Sequence, residues 1–390
     1  MPYSVFLKKN EEKRIVNGHP WVYANEVLKT EGKGKNGDLA TVYDYSGRFI
    51  GKGYINFLSK ILVRIFIRND DIPDKEFFKK KISQANEYRK ELGYDNCYRM
   101  VFSESDDLPG LIVDKYANSL CVQILSLGME LNKSLIIECL VELFSPDTIY
   151  ERSDVAVREK EGLKQFKGVI YGKDNAKVEI EENGIKSVVD MENGQKTGYF
   201  LDQKENRFAC RKYAKNKDVL DCFCNVGGFS LNCALAGAKS VKSLDISIKA
   251  LQDVEYNAKL NGLENVISTE QADVFEKLRE YKKQNKKFGL VILDPPAFCK
   301  NADAVKDAYK GYKDINILGM KLVESGGYLV SCSCSHYMTF SLFEKMLKES
   351  ARESGRKVKV MEIKTQSPDH PSLISEEESV YLKFYILQII

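Results

Sequence analysis

The residues best suited to chemistry lie in three short stretches. Leu329-Val-Ser-Cys-Ser-Cys-Ser335 carries two thiols at alternate positions. Leu293-Asp-Pro-Pro-Ala-Phe298 sets a carboxylate before two prolines. Val219-Leu-Asp-Cys-Phe-Cys-Asn-Val-Gly-Gly-Phe-Ser230 runs from an apolar segment through Asp221 to paired glycines and a helical pattern. A thiolate is a nucleophile, so the first stretch points to covalent catalysis. On a strand, Cys332 and Cys334 share a face, and alternation cannot choose between them. Position favours Cys334, which lies nearer the carboxyl end, where open α/β sheets bind ligands. Cys299, just past the prolines, competes for the role, and an inert buried cysteine is about as common a use of such a residue. His336 could tune the thiol or simply be solvated.

The other two stretches are suited to binding. Prolines end a strand ladder and fix the backbone, which projects Asp294 into a crevice at the sheet edge. Glycines permit a tight turn and close approach of backbone to ligand, and a helix N-terminus offers free N–H groups. Asp221 would stand over that crevice. Asp245 follows the next strand, 17 residues after Gly228, where an acid can hold ribose hydroxyls. The loop lacks G-x-G-x-x-G, so NAD is disfavoured and another nucleoside cofactor is favoured. Asp245 and Asp273 also read as ordinary helix caps.

These residues need a parallel sheet to bring them together. Strands are expected at 219–223, 241–246, 265–269, 289–294 and 327–333. Helices are expected at 229–236, 248–260, 274–284, 304–324 and 339–354. Such alternation implies a parallel sheet covered on both faces. Two further strands, 357–364 and 380–390, have no helix between them and read as an antiparallel pair. Upstream, the polar, aromatic-bearing loop 191–202 could close over the crevice. Asp202 is expected to cap a helix running over 203–215.

The N-terminal segment 1–72 reads as short strands (39–45, 49–56, 60–68) with turn glycines, a small β-barrel-like module. Its twelve Lys/Arg against eight Asp/Glu are explained as well by a solvated surface as by RNA. Trp21 is expected to be a packing aromatic rather than a base-stacking one. Segment 73–185 reads as a small α+β domain, with helices over 75–93 and 131–144 and short strands between and after them. No chemistry rises above structure there. The fold class is therefore α/β: a Rossmann-like domain at 186–390, preceded by a β-barrel-like domain at 1–72 and an α+β domain at 73–185.

Composition narrows the rest. A net charge of +3 announces no nucleic-acid partner by itself. No signal peptide or membrane-spanning run is visible, and the ten cysteines lack zinc spacing. They read as reduced thiols, which favours a cytoplasmic location with no membrane partner and no metal.

Beyond these motifs, Gly18-His-Pro-Trp-Val-Tyr23, Gly194-Gln-Lys-Thr-Gly-Tyr-Phe-Leu-Asp-Gln203, Gly311-Tyr-Lys-Asp-Ile-Asn316, Ser333-Cys-Ser335, Asp369-His-Pro371 and Tyr381-Leu-Lys383 stand along nearly the whole chain. Together they resemble the bacterial large-subunit (23S) ribosomal RNA cytosine-5 methyltransferases, class I S-adenosylmethionine-dependent enzymes with an N-terminal PUA domain. The resemblance implies S-adenosyl-L-methionine as cofactor. It implies ribosomal RNA, deproteinised or in an assembling large subunit, as partner, with a second copy of the chain as another candidate partner. It implies Thr197, Phe200, Asp202, Gln203 and Arg207 on the loop and helix beside the cofactor. Asp221, Phe223, Cys224, Asn225, Gly227, Asp245, Ile246, Ser247, Asp273, Val274 and Asp294 would line the pocket. Cys334 would be the nucleophile, with Asp294 stabilising the base. Two other readings stay open: purine amine methylation using Asp294 and the prolines without a covalent step, and a catalytically silent RNA-binding assembly factor.

Overall fold

The structure, a computed structural model, describes residues 2–299, 301–376 and 379–390. It divides into two compact units. The first comprises Met1–Ile180, Val189–Leu201 and Pro368–Ser379; the second comprises Glu181–Val188, Asp202–Ser367 and Val380–Ile390.

The first unit holds two sheets. Strands β1 (Tyr3–Leu7), β2 (Trp21–Tyr23), β3 (Val27–Glu31), β4 (Leu39–Tyr43), β5 (Phe49–Ile55) and β6 (Ile61–Ile67) form one sheet in the order β2-β6-β5-β4-β1-β3, with the short helix α1 (Glu12–Val16) at its start. Val5, Leu7, Val22, Val42 and Val63 are fully buried in its core. Helix α2 (Lys75–Glu91) follows, capped by Asp74, whose carboxylate accepts from the Phe77 N–H. It leads to β7 (Cys97–Phe102), β8 (Leu111–Tyr116) and β9 (Ser119–Ile124), then α3 (Leu127–Leu131), α4 (Lys133–Phe144), β10 (Thr148–Ser153) and β11 (Phe166–Gly172). These strands pair as β11-β10-β9-β8-β7.

The expected helix over 131–144 is interrupted. Asn132 leaves the helical conformation, and its amide donates to the Gly128 carbonyl at 2.8 Å and the Tyr54 hydroxyl at 3.0 Å. An Asn side chain that bonds local backbone competes with the helix ladder. Trp21 donates through Nε1 to Glu104 at 2.8 Å while the Arg64 guanidinium lies over its ring at 5.6 Å. It is a packing aromatic, as its sequence setting favoured.

A two-stranded sheet, β12 (Lys177–Glu182) and β13 (Ile185–Asp190), precedes the second unit's main sheet. That sheet contains β14 (Asp218–Cys222), β15 (Ser240–Asp245), β16 (Ile267–Gln271), β17 (Phe288–Leu293), β18 (Val323–Ser333), β19 (Val358–Lys364) and β20 (Lys383–Ile389). Its order is β16-β15-β14-β17-β18-β20-β19. The first five strands are parallel, and β20 is antiparallel to both β18 and β19. The antiparallel final pair was expected; its placement was not, because β20 lies between two strands made before it.

Period-two alternation assigns the sheet's two faces. Val219, Val241, Leu290, Ile292 and Val330 pack with helices α5 (Lys204–Ala214), α6 (Gly228–Leu235) and α7 (Ile248–Leu260). Leu220, Cys222, Val291, Leu293 and Leu329 pack on the other side with α8 (Val274–Lys283), α9 (Val305–Leu322) and α10 (Phe340–Ser354). Burial on both faces explains why these strands read as continuous apolar runs. Strand order reverses between β14 and β17, and the crevice outside the carboxyl ends there is the expected ligand position of such a sheet.

Candidate active site

The loop after β14 runs along that crevice. Phe223 (φ 63), Asn225 (φ 50) and Gly227 (φ 84) all adopt left-handed conformations. Asparagine and glycine tolerate this; a bulky Phe is an outlier that the surroundings must hold in place. The Cys224 N–H donates to the Leu244 carbonyl at 3.0 Å, and the Asn257 amide donates to the Val226 carbonyl at 3.2 Å. The carboxylate of Asp245 accepts from the Asn225 N–H at 3.0 Å and the Ser247 N–H at 2.9 Å. It thus ties the loop to the start of α7, with Ser247 as the cap of that helix. Two of the roughly four acceptor positions of a carboxylate are used, so partly exposed Asp245 keeps capacity for a ligand. Beside it Ile246 is 68 % exposed.

The two glycines are also required from below. A Cβ on Gly227 would lie 3.1 Å from Val254, and one on Gly228 would lie 2.7 Å from Arg207 Cδ. Arg207 cannot easily give way. It is buried and donates to both oxygens of Glu182, at 2.8 and 2.7 Å. Arg207 therefore supports the loop.

Asp221 is fully buried and accepts from Ser230 Oγ at 2.6 Å, and Ser230 in turn meets Ser243 Oγ at 2.7 Å. Its other oxygen, Oδ1, has no hydrogen-bond partner among the described residues. Burial pushes the carboxyl from its ordinary 3.8 to about 7, with Asp294 and Asp245 adding to the rise. An orphaned buried acid at the mouth of a glycine loop and a helix N-terminus fits a ligand carrying a cation and ribose hydroxyls. S-adenosylmethionine is such a ligand, and these residues can hold it.

Around Asp294 a second constellation forms. Gln203 donates through Nε2 to both Asp294 oxygens at 3.1 Å. Asn206 donates to the Gln203 Oε1 at 2.7 Å, which fixes the amide so that its NH2 faces Asp294. The charge of Asp294 and that of Cys334 both act on Cys332, holding its thiol well above the ordinary range after the larger effect of burial. Asp294, Gln203, Cys332 and Cys334 are thus one cluster at the ends of β17 and β18. Cys332 and Cys299 are buried, as are seven other cysteines; Cys334 alone of the ten is partly exposed. Cys299 sits in the core, its thiol directed to the Asn301 carbonyl at 3.2 Å. His336 is exposed and stacks edge-on with Tyr337.

Other expected site residues make contacts of their own. Asp202 does not cap α5: Gln203 holds the N-cap position without a side-chain bond. Asp202 instead accepts from the Tyr381 hydroxyl at 2.7 Å, because a one-turn 3-10 helix precedes α5. Thr197 and Phe200 belong to the first unit. There the Thr197 hydroxyl donates to Asp114 at 2.6 Å and meets Tyr116 at 3.1 Å, while Arg99 donates to both oxygens of the same Asp114. Phe200 lies under the Lys196 ammonium. Asp273 caps α8 through the Glu276 N–H, and the Val274 side chain is buried in the core. Sequence reasoning missed Asn206, Glu182 and Ser230. Each acts through another residue; Ser230 closes the glycine-bearing stretch, whereas Asn206 and Glu182 stand in no recognisable motif.

The chain is similar to known proteins over its whole length. Residues 5–68 match the PUA-like domain family, and residues 168–381 match the S-adenosylmethionine-dependent methyltransferase family. The ribosomal RNA large subunit methyltransferase I of Aeromonas hydrophila is 41 % identical over the whole of both chains. A candidate SAM-dependent methyltransferase from Streptococcus mutans superposes over the whole of both chains with a TM-score of 0.84 at 19 % identity. A candidate methyltransferase complexed with SAH does so with a TM-score of 0.85 at 20 % identity. Among the described residues no helix is long and apolar enough to cross a membrane, and no group of His, Cys, Asp and Glu could hold a metal.

Proposed function

Since the chain belongs to the S-adenosylmethionine-dependent methyltransferases and is similar along its full length to ribosomal RNA large subunit methyltransferase I, we propose that it methylates carbon 5 of a cytosine in 23S ribosomal RNA through a covalent bond to Cys334. Asp221, Asp245, Ile246 and the loop 223–227 would hold the cofactor, which supplies an electrophilic methyl group when bound. Cys334 adds to carbon 6 of the ring and pushes electron density to carbon 5, which is otherwise too poor a nucleophile. Asp294, oriented by Gln203, passes a proton to ring nitrogen 3 as the thiolate adds, so that the adduct is neutral, and its carboxylate then accepts from the base edge. After transfer, loss of the carbon 5 proton expels the thiolate and restores the ring. The base must be unstacked to enter. The segments 1–72 and 73–185 would grip RNA outside the catalytic segment 186–390.

The observation that carries this reading is the exposure of Cys334 at the strand end beside Asp294, when the other nine thiols are buried. Purine amine methylation is less well supported. It wants an aromatic free to stack beside the prolines, whereas Phe298 packs on Tyr312 at 4.7 Å, with Phe275 and Phe223 close by. The test is Cys334→Ala. Methyl transfer should fall on the order of 10³-fold or more while cofactor binding by calorimetry persists. RNA containing 5-fluorocytosine should be trapped covalently by the parent enzyme and not by the variant. Turnover retained in the variant would refute the assignment.

A further inference from the structure

Strand β20 begins with a residue at odds with its surroundings. Lys383 is 2 % exposed, flanked in sequence by Leu382 and Phe384, both buried. It pairs in register with Ser333, the last residue of β18, one position before Cys334. Its Nζ donates to the Ser335 carbonyl at 2.7 Å and to the Tyr381 carbonyl at 2.7 Å. The ring of Phe340, at the start of α10, lies 5.9 Å away. Among the described residues no carboxylate is bonded to it, although a buried ammonium costs several kcal/mol to desolvate unpaired. Stability alone does not account for it. A Leu or Met would pack there with no charge to bury.

We infer that Lys383 is a positioning residue for Cys334: it clamps the peptide that follows the thiol and supplies the positive charge that favours the thiolate. This rests on the reading of Cys334 as nucleophile. Two N–H groups of the ammonium go to the carbonyls on either side of the strand end. The Cys334–Ser335 segment is thereby fixed to the start of β20, which the sheet already holds. The charge works in the same direction. Burial lowers the affinity of Lys383 for its proton to a pKa of about 8, and the charge on Cys334 partly restores it. That interaction is reciprocal: whatever the thiolate gives to the ammonium, the ammonium returns to the thiolate.

Tyr312 of α9 meets Ser335 Oγ at 2.9 Å, and the charge on Cys334 adds to the burial that raises the pKa of its hydroxyl. Asp294 stands on the β17 side of the thiol cluster and opposes ionisation there. Tyr381 precedes β20, with its hydroxyl on Asp202. Glu344 of α10 accepts from Tyr385. Lys364 of β19 is paired in register with Phe384. Among the described residues, Lys383 is a cation whose charge is coupled to Cys334.

The test separates charge from shape. Lys383→Gln can donate to both carbonyls but carries no charge; Lys383→Met removes both functions. The pH dependence of Cys334 alkylation by iodoacetamide, read by peptide mass spectrometry, reports thiol ionisation without any catalysis. The nine buried thiols should react slowly, and Cys334→Ala supplies the background. In Lys383→Gln the alkylation midpoint should rise by about half a pH unit or more. The acid limb of the methylation pH profile should move with it. A purely structural role would lower activity without moving either midpoint. A folded, cofactor-binding Lys383→Gln or Lys383→Met variant with the parental midpoint overturns the role of Lys383, whatever Cys334→Ala does. Full turnover in Cys334→Ala overturns instead the reading on which the role rests.

Discussion

Replacing Asp221 by Asn should make the protein's stability respond differently to pH, by an amount the structure fixes. Asp221 is fully buried, with one oxygen bonded to Ser230 and the other to nothing described. Its carboxyl is raised from 3.8 to about 7. Between those values the folded state keeps a proton that the unfolded state has released. The native carboxyl therefore loses stability as pH rises through that window, and the loss is complete above about 7. Asn does not titrate. Its amide leaves a new donor in an unsatisfied place, at about 1–3 kcal/mol, but that cost is the same at every pH. The stability difference between variant and parent should therefore shift in the variant's favour by about 3 kcal/mol from pH 5 to pH 8, two units at 1.36 kcal/mol each. Urea unfolding of both proteins without cofactor at the two pH values measures it. Parallel changes in the two proteins would mean that Asp221 is ionised throughout and that the buried-acid account is wrong. The same reasoning assigns the ionised Asp221 a function once the cofactor's ammonium is near. Binding of S-adenosylmethionine should tighten from pH 5 to pH 8 in the parent, and do so much less in Asp221→Asn.

Other predictions follow from the packing. Gly228→Ala should cost about 1–3 kcal/mol by overpacking, because its methyl meets Arg207 Cδ and Arg207 is tied to Glu182. Chemical denaturation will show it, and calorimetry should show weaker cofactor binding; an unchanged midpoint would mean that Arg207 moves aside freely. Alkaline pH should destabilise the fold. Cys121, Cys210, Cys222, Cys224, Cys233 and Cys332 are all held well above the ordinary thiol range by burial. The unfolded chain releases those protons above about pH 8.5, so each thiol removes about 1.4 kcal/mol per further pH unit. Lys383 acts oppositely between about 8 and 10.5, and burial lowers Lys115 as well, but these are two groups against six. Scanning calorimetry in reducing buffer should find Tm falling steeply above pH 9, and a flat Tm to pH 10 would contradict it.

Much of the second unit was legible because its information is local. Runs such as Leu290–Leu293 announce strands buried on both faces, and Asp221, Gly227 and Asp294 fall at strand ends, where chemistry collects. The direction of the strand also set Cys334 nearer its end than Cys332, and Cys334 is the more exposed of the two. What escaped was contact between distant segments. Nothing near Asn206 tells that it orients Gln203 toward Asp294, 91 residues further on. Asp202 looked like a helix cap because Asp before a helical pattern usually is one; Tyr381, 179 residues away, takes its carboxylate instead. Nothing near Thr197 tells that its hydroxyl completes a buried network around Asp114, 83 residues earlier. Lys383 stood in a motif without a role, because its role depends on a strand inserted out of order.

That insertion has a consequence for how the protein is made. β19 has no neighbour in its sheet except β20, and β20 is synthesised after it. Until then β19 has nowhere to dock, and the flank of β18 stays bare. Val360, Met361 and Ile363 remain outward-facing even in the finished fold. A nascent chain paused between residues 365 and 382 would present two open sheet edges at once, a form prone to clinging to other strands. Slow translation codons or a stall in that interval should raise aggregation or chaperone capture, whereas the same pause after β20 has emerged should be harmless.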